Sequence, residues 1–245
     1  MRASGILMPV FSLPSRYGIG SFSKSAYQFV DMLKKAGQKY WQILPLCPTS
    51  YGDSPYQSFS TYAGNPYFID LDQLIEEKLL TRKECQACDF GDDPQDIDYG
   101  KLYENRFKLL RKAYERANVG EDQEFEAYRR ENAWWLDDYA LFMALKDAND
   151  GQAWSKWDKD LRLRKKEAME AAKEQYAEEI RFYKMLQYLF YKQWNELKAY
   201  ANEEGIEIIG DVPIYVAGDS ADVWANPDQF YLDENLEPIE VAGCP

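Results

Sequence analysis

Tyr40-Trp-Gln-Ile-Leu-Pro-Leu46 is a short run of aromatic and aliphatic residues ending at a proline, and it reads as a buried strand. A second run of the same kind, Gly5-Ile-Leu-Met-Pro-Val-Phe11, lies upstream. Between them, Leu13 to Gly20 is punctuated by Pro and Gly and reads as a loop. Ser23 then stands where a helix is capped, and Ala26, Phe29, Val30 and Leu33 recur at helical spacing. Lys34 and Lys35 suit the last turn of that helix, and Gly37 suits its C-terminal cap. Strand, capped helix and strand within roughly 45 residues form a β-α-β unit, whose two strands must be parallel.

Further along, residues 80–204 are charged and helical in spacing. Trp134, Trp135, Tyr139, Phe142, Met143 and Leu145 crowd one helix. Ile180, Tyr183, Leu186, Leu189, Phe190, Trp194 and Leu197 form the stripe of another. Residues 161–179 are almost all charge and alanine and read as one solvated helix. This density of aromatics fits helix cores, or alternatively a sugar-stacking surface. Trp154 and Trp157, in a polar segment without a stripe, best fit the second reading. Ile206 to Val216 reads as a third strand, broken near Asp211 and Pro213. The chain closes on Gly-Cys-Pro245 within a loop, so a fragment is expected.

Composition narrows the function. Hydrophobic residues make up 46% of the 245, enough for a packed core. A net charge of −13 repels phosphate backbones and anionic membrane surfaces but is indifferent to a neutral sugar. There is no histidine, which removes His-based triads and His-ligated metals. Cys85 and Cys88 form a lone C-x-x-C that no second pair completes as a zinc site, and Cys47 and Cys244 stand apart. Packed or solvent-exposed thiols are expected in place of a zinc site. No signal peptide and no membrane-length apolar run is evident, so a cytoplasmic setting is expected.

In parallel α/β folds, ligands bind at the carboxyl ends of strands. Pro48 to Pro66 follows the second strand and is packed with hydroxyls, amides and aromatics. Such a loop suits a carbohydrate, whose apolar face stacks on rings and whose hydroxyls take polar side chains. It equally suits a turn whose side chains bond their own backbone. Gly210 to Trp224 follows the third strand and carries Asp211, Asp219 and Asp222. Asp219 or Ser220 reads as a helix cap. Asp211, on an apolar strand expected to be buried, requires partners. The two loops are expected side by side above neighbouring strands.

These segments resemble 4-α-glucanotransferases of the amylomaltase (disproportionating enzyme) type. The resemblance is carried by Tyr40 to Leu46, Tyr51-Gly-Asp-Ser-Pro-Tyr-Gln-Ser58, Ala63-Gly-Asn-Pro66, Gly210-Asp-Val-Pro-Ile-Tyr-Val-Ala217 and Asp219-Ser-Ala-Asp-Val-Trp224. Ser4-Gly-Ile-Leu7, Ser12-Leu-Pro14 and Tyr17-Gly-Ile-Gly20 match as well. The resemblance implies an α/β chain forming an incomplete (β/α)8 TIM barrel of about three strands. Residues 1–80 and 178–245 would belong to the barrel, with 81–177 a helical subdomain inserted after the second strand. It further implies transfer of an α-1,4-glucan segment to the 4-hydroxyl of another glucan or of glucose, with retention, through an Asp nucleophile and a Glu acid/base, with no metal and no organic cofactor needed.

Position by position, Tyr56 would stack on glucan, while Asp53, Ser54 and Gln57 shape that loop. Tyr51 would touch a second glucan surface. Asp211 would position the reacting sugar, and Asp219 and Ser220 would be structural. Met8-Pro-Val-Phe11 and Gly218 depart from the family pattern at the pocket rim. The family's three catalytic carboxylates follow later strands, so none is assigned here and inactivity of this chain alone is expected. A non-catalytic α-glucan-binding protein, a helical interaction protein and an α-glucan hydrolase of the same barrel type are the rival readings.

Overall fold

A computed structural model, which describes residues 2–49, 53–93, 95–120 and 122–240, contains the expected β-α-β unit, with strands much shorter than the apolar runs. In chain order the elements are β1 (Gly5–Leu7), α1 (Lys24–Lys35), β2 (Tyr40–Gln42), α2 (Leu71–Glu76), α3 (Arg82–Gln86) and α4 (Tyr99–Arg116). There follow α5 (Gln123–Ala148), α6 (Lys159–Arg162), α7 (Lys166–Gln175), α8 (Ala177–Glu203), β3 (Glu207–Ile209) and α9 (Ala221–Ala225). The chain is α/β, with one small parallel sheet in the order β1-β2-β3 and Ile6, Trp41 and Ile208 in register across it.

Proline explains the short strands. Pro9, Pro45 and Pro213 each sit a few residues past a strand and lack the N–H the ladder needs. Pro9 instead opens a 3-10 turn over Val10–Ser12. The strands are also less buried than the sequence implies. Trp41 is fully buried, but β1 is exposed throughout and Ile209 is 44% exposed.

The chain divides into two compact units: 1–46, 64–122 and 186–212 form the first, and 47–63, 123–185 and 213–245 the second. In the first unit α1 buries the expected stripe, Ala26, Phe29, Val30 and Leu33. Phe29 meets Trp41 of β2 edge-on at 5.1 Å, and the Trp41 indole donates to the Met8 carbonyl at 2.8 Å. Gly37 takes φ +70° and the Gln38 N–H returns to the Leu33 carbonyl, the expected left-handed cap. Ser23 occupies the N-cap, but its hydroxyl makes no capping bond.

From α8, Leu186, Leu189, Phe190 and Leu197 are buried as expected, and two glutamines among them are buried too. Gln187 bonds both backbone groups of Gly64, at 2.7 and 2.9 Å, and Gln193 pairs with the backbone of Asp70. These two buried amides thus satisfy backbone groups that no strand pairs with. Arg106 of α4 is fully buried and donates to the carbonyls of Tyr17 and Ile69, and loss of hydration pulls its guanidinium down to about 10.

Cys85 lies buried on α3, and burial pushes its thiol up to about 11. Thr81 and Glu84 form a capping box at the start of α3. Bonds from Arg116 and then from Thr81 hold the Glu84 carboxyl far below its usual value. A carboxylate whose native pKa is depressed contributes stability above its unfolded value of about 4.3 and loses it as pH falls. Glu84→Gln therefore lowers stability at neutral pH and flattens the acid limb of a urea-midpoint profile. An unchanged slope below pH 4.5 would contradict this.

In the second unit, α5 buries Trp135, Tyr139, Phe142 and Leu145. Trp154 and Trp157 are buried as well, at 3% and 5% exposure, which corrects the sugar-stacking reading of both. The Trp154 indole donates to the Gly218 carbonyl at 2.8 Å, while Trp157 packs on Phe142 and Trp224. The charged stretch 161–179 is not one helix either. It breaks after α6 at Arg164, whose φ is +50°, and Met169 and Ala172 of α7 are buried. The break lets the Arg164 guanidinium lie 4.2 Å over the Trp224 ring and pair with Asp138 at 2.5 Å.

Among the described residues no helix is long and apolar enough to cross a membrane.

Candidate functional site

The loop after β2 resolves its two readings residue by residue. Thr49 and Ser58 form an antiparallel bridge that closes it. Inside the closure and just beyond it, hydroxyls serve the backbone. Ser54 Oγ accepts from the Tyr56 N–H, Ser58 Oγ donates to the Ser60 carbonyl, and Ser60 Oγ accepts from the N–H groups of Tyr62 and Ala63. Ser58 and Ser60 are buried. Asp53, Tyr56 and Gln57 face solvent instead, with Tyr56 at 45% exposure. Asp53 sits at φ +56°, a left-handed conformation that Asp tolerates better than most side chains. The described part of the loop is a self-bonded turn that presents Asp53, Tyr56 and Gln57 outward, as it does Thr61 and Tyr62 further along. Tyr51 lies outside the described residues.

The same unit carries Asp219 and Ser220 next to the far side of this loop. Ser220 is the N-cap of α9, its Oγ accepting from Val223 N–H at 3.3 Å. The Ala221 N–H donates to the Phe59 carbonyl, and Asp222 Oδ2 accepts from both the backbone and the hydroxyl of Thr61. Burial raises the Asp222 carboxyl, against the pull of its two Thr61 bonds. Asp219 accepts from Lys146 Nζ at 2.6 Å and from the Trp154 N–H at 3.2 Å. Asp219 and Asp222 are therefore committed to holding loop and helix together.

Sequence reasoning missed Lys146. It is buried on α5, lies 4.9 Å over the Phe59 ring and also donates to the Gln152 carbonyl. A lone lysine on an aromatic helix face was the available signal, since such a charge requires a partner.

Asp211 belongs to the first unit, and its position corrects an expectation. Strand β3 ends at Ile209, so Asp211 lies beyond it, exposed, its carboxylate accepting from the Val212 N–H at 2.8 Å. It is an exposed loop carboxylate rather than a buried strand residue.

A cleft of about 370 Å³ opens in the second unit between Tyr62, Trp134, Asp138, Asp222 and Gln229. No sequence reading singled it out.

The model of the 4-alpha-glucanotransferase family matches residues 8–245. The 4-alpha-glucanotransferase of Clostridium butyricum is 54% identical over 239 residues, covering 97% of this chain and 49% of its own length. That of Streptococcus pneumoniae strain TIGR4 is 52% identical over 246 residues, covering all of this chain and 49% of its own. The amylomaltase of Streptococcus agalactiae, solved in complex with acarbose, superposes with a TM-score of 0.95 at 45% identity, over the whole of this chain and 50% of that one. The chain spans about half the length of the curated relatives it matches. With a family model running through α1, β2, the Tyr56 loop and the Asp211 segment alike, this chain belongs to the 4-alpha-glucanotransferase family.

Proposed function

We propose that this chain supplies glucan-contacting parts of an enzyme that moves a segment of an α-1,4-glucan onto the 4-hydroxyl of another maltooligosaccharide or of glucose. The observation that carries the reading is the family match over residues 8–245, which includes both polar loops. In this reading Tyr56 stacks on a glucose ring and Gln57 and Asp53 bond its hydroxyls, while Ser54 holds the turn. Tyr51 offers a further ring to glucan. Asp211 orients a sugar hydroxyl, and Asp219 and Ser220 act only through the loop they anchor. Residues 1–80 and 178–245 are the start of a (β/α)8 barrel, and 81–177 is a helical insertion. The setting is cytoplasmic.

The chemistry of such transfer is a retaining double displacement, which needs two carboxyl groups roughly 5 Å apart, one nucleophile and one acid/base. We place neither on this chain, because the family's carboxylates follow later strands. This chain then binds glucan without turning it over. Calorimetric titration with maltoheptaose, together with glucose release from maltotriose, tests both halves. We expect saturable binding that Tyr56→Ala weakens by about tenfold, ~1.4 kcal/mol, and no release of glucose. Release above background would overturn the inactivity, and absence of binding would overturn the glucan reading.

A further inference from the structure

We propose that the cleft beside Trp134 is an accessory α-glucan site whose lining shares no residue with Asp53, Tyr56 and Gln57; this rests on the glucan reading above. All seven tryptophans are described, and six are buried or half-buried. Trp134 alone is exposed, at 66%, although its neighbours Trp135 and Leu136 on α5 are buried. Tyr62, 45% exposed, meets Trp134 edge-on with ring centroids 4.7 Å apart. The two rings therefore stand as an angled pair, and most of the Trp134 surface stays in solvent. Two touching exposed rings offer apolar area for something to cover, which a single exposed ring does not.

The rest of the lining says what that something is. Asp138 and Asp222 bring carboxylate acceptors, Asn226 and Gln229 bring amides, and Ala221 and Ala225 leave the floor shallow. The carboxylates are held by neighbours, Asp138 by Arg164 and Asp222 by Thr61, so their positions are set before a ligand arrives. A ring platform bordered by prepositioned acceptors and amides fits a ligand with apolar faces and many hydroxyls. Anionic ligands are disfavoured by the two carboxylates and by the net charge of −13. At about 370 Å³ the cleft lies at the small end of ligand sites, suited to a short stretch of sugar chain.

The test uses the 245-residue chain and maltoheptaose, with cellohexaose as the β-linked control. Because Trp134 is the one exposed tryptophan, acrylamide quenching of indole fluorescence reports on it. We expect saturating maltoheptaose to shield the quenchable fraction and cellohexaose to leave it unchanged. Trp134→Ala should lower maltoheptaose affinity by about tenfold with an unaltered circular dichroism spectrum, and Tyr56→Ala should leave the shielding of Trp134 intact. If the wild-type chain binds maltoheptaose but Trp134→Ala stays within twofold and quenching is unaffected, this site is refuted while the glucan reading stands. If the wild-type chain binds no maltoheptaose, both are refuted.

Discussion

Lys146→Met is expected to destabilise the protein by about 3 kcal/mol, mostly within the second unit. The residue is 3% exposed, and its ammonium pairs with Asp219 at 2.6 Å, reaches the Gln152 carbonyl and lies over Phe59 and Phe142. Methionine preserves the volume but removes the cation. Asp219 is then left with the Trp154 N–H, and two rings lose a cation–π partner. Breaking a buried pair typically costs about 3–5 kcal/mol. The Asp219 side chain is 29% exposed, so water recovers part of the loss and the lower end applies. Urea unfolding of the single variants and of Lys146→Met/Asp219→Asn measures this. The double variant should be more stable than additivity predicts by at least about 1 kcal/mol. A single-variant loss under about 1 kcal/mol would show that the pair does not hold the loop.

Gly64→Ala should cost about as much for a different reason. A Cβ at Gly64 would lie 2.1 Å from Phe190 Cδ1 and 2.2 Å from Cε1. The glycine cannot back away, because Gln187 bonds its N–H and its carbonyl at once. The ring cannot back away either, because Phe190 is 2% exposed and packs edge-on against Phe22 at 5.1 Å. Overpacking of a closed core costs about 1–3 kcal/mol, and with both partners pinned the upper end is expected. Phe190→Leu in the Gly64→Ala background should return part of the stability, since a shorter side chain vacates the contact. If Gly64→Ala alone leaves the urea midpoint unchanged, the close approach is not a constraint on the fold.

The two positions mark the boundary of what could be read without coordinates. Helix α1 was legible because every signal is local: the Ala26–Phe29–Val30–Leu33 stripe and Gly37, free of a Cβ, at the left-handed turn. The parallel pairing of β1 and β2 was legible because a single helix between two strands forces it. The candidate loop was half legible. Its hydroxyls and amides were visible, but burial alone separates the self-bonded Ser58 and Ser60 from the exposed Tyr56 and Gln57.

What the sequence by itself determined is the β-α-β start, the helical periodicity of α5 and α8, and the family motifs around Tyr56 and Asp211. Tertiary structure alone decided that Trp154 and Trp157 fill a core while Trp134 faces solvent, that Asp211 lies past the end of β3, and that Lys146, Gln187 and Gln193 are buried polar anchors. The physical reason is range. Helix periodicity and caps act between residues a few positions apart, whereas the fate of an indole or a buried amine is set by partners such as Gly218 or Asp219, more than sixty positions away.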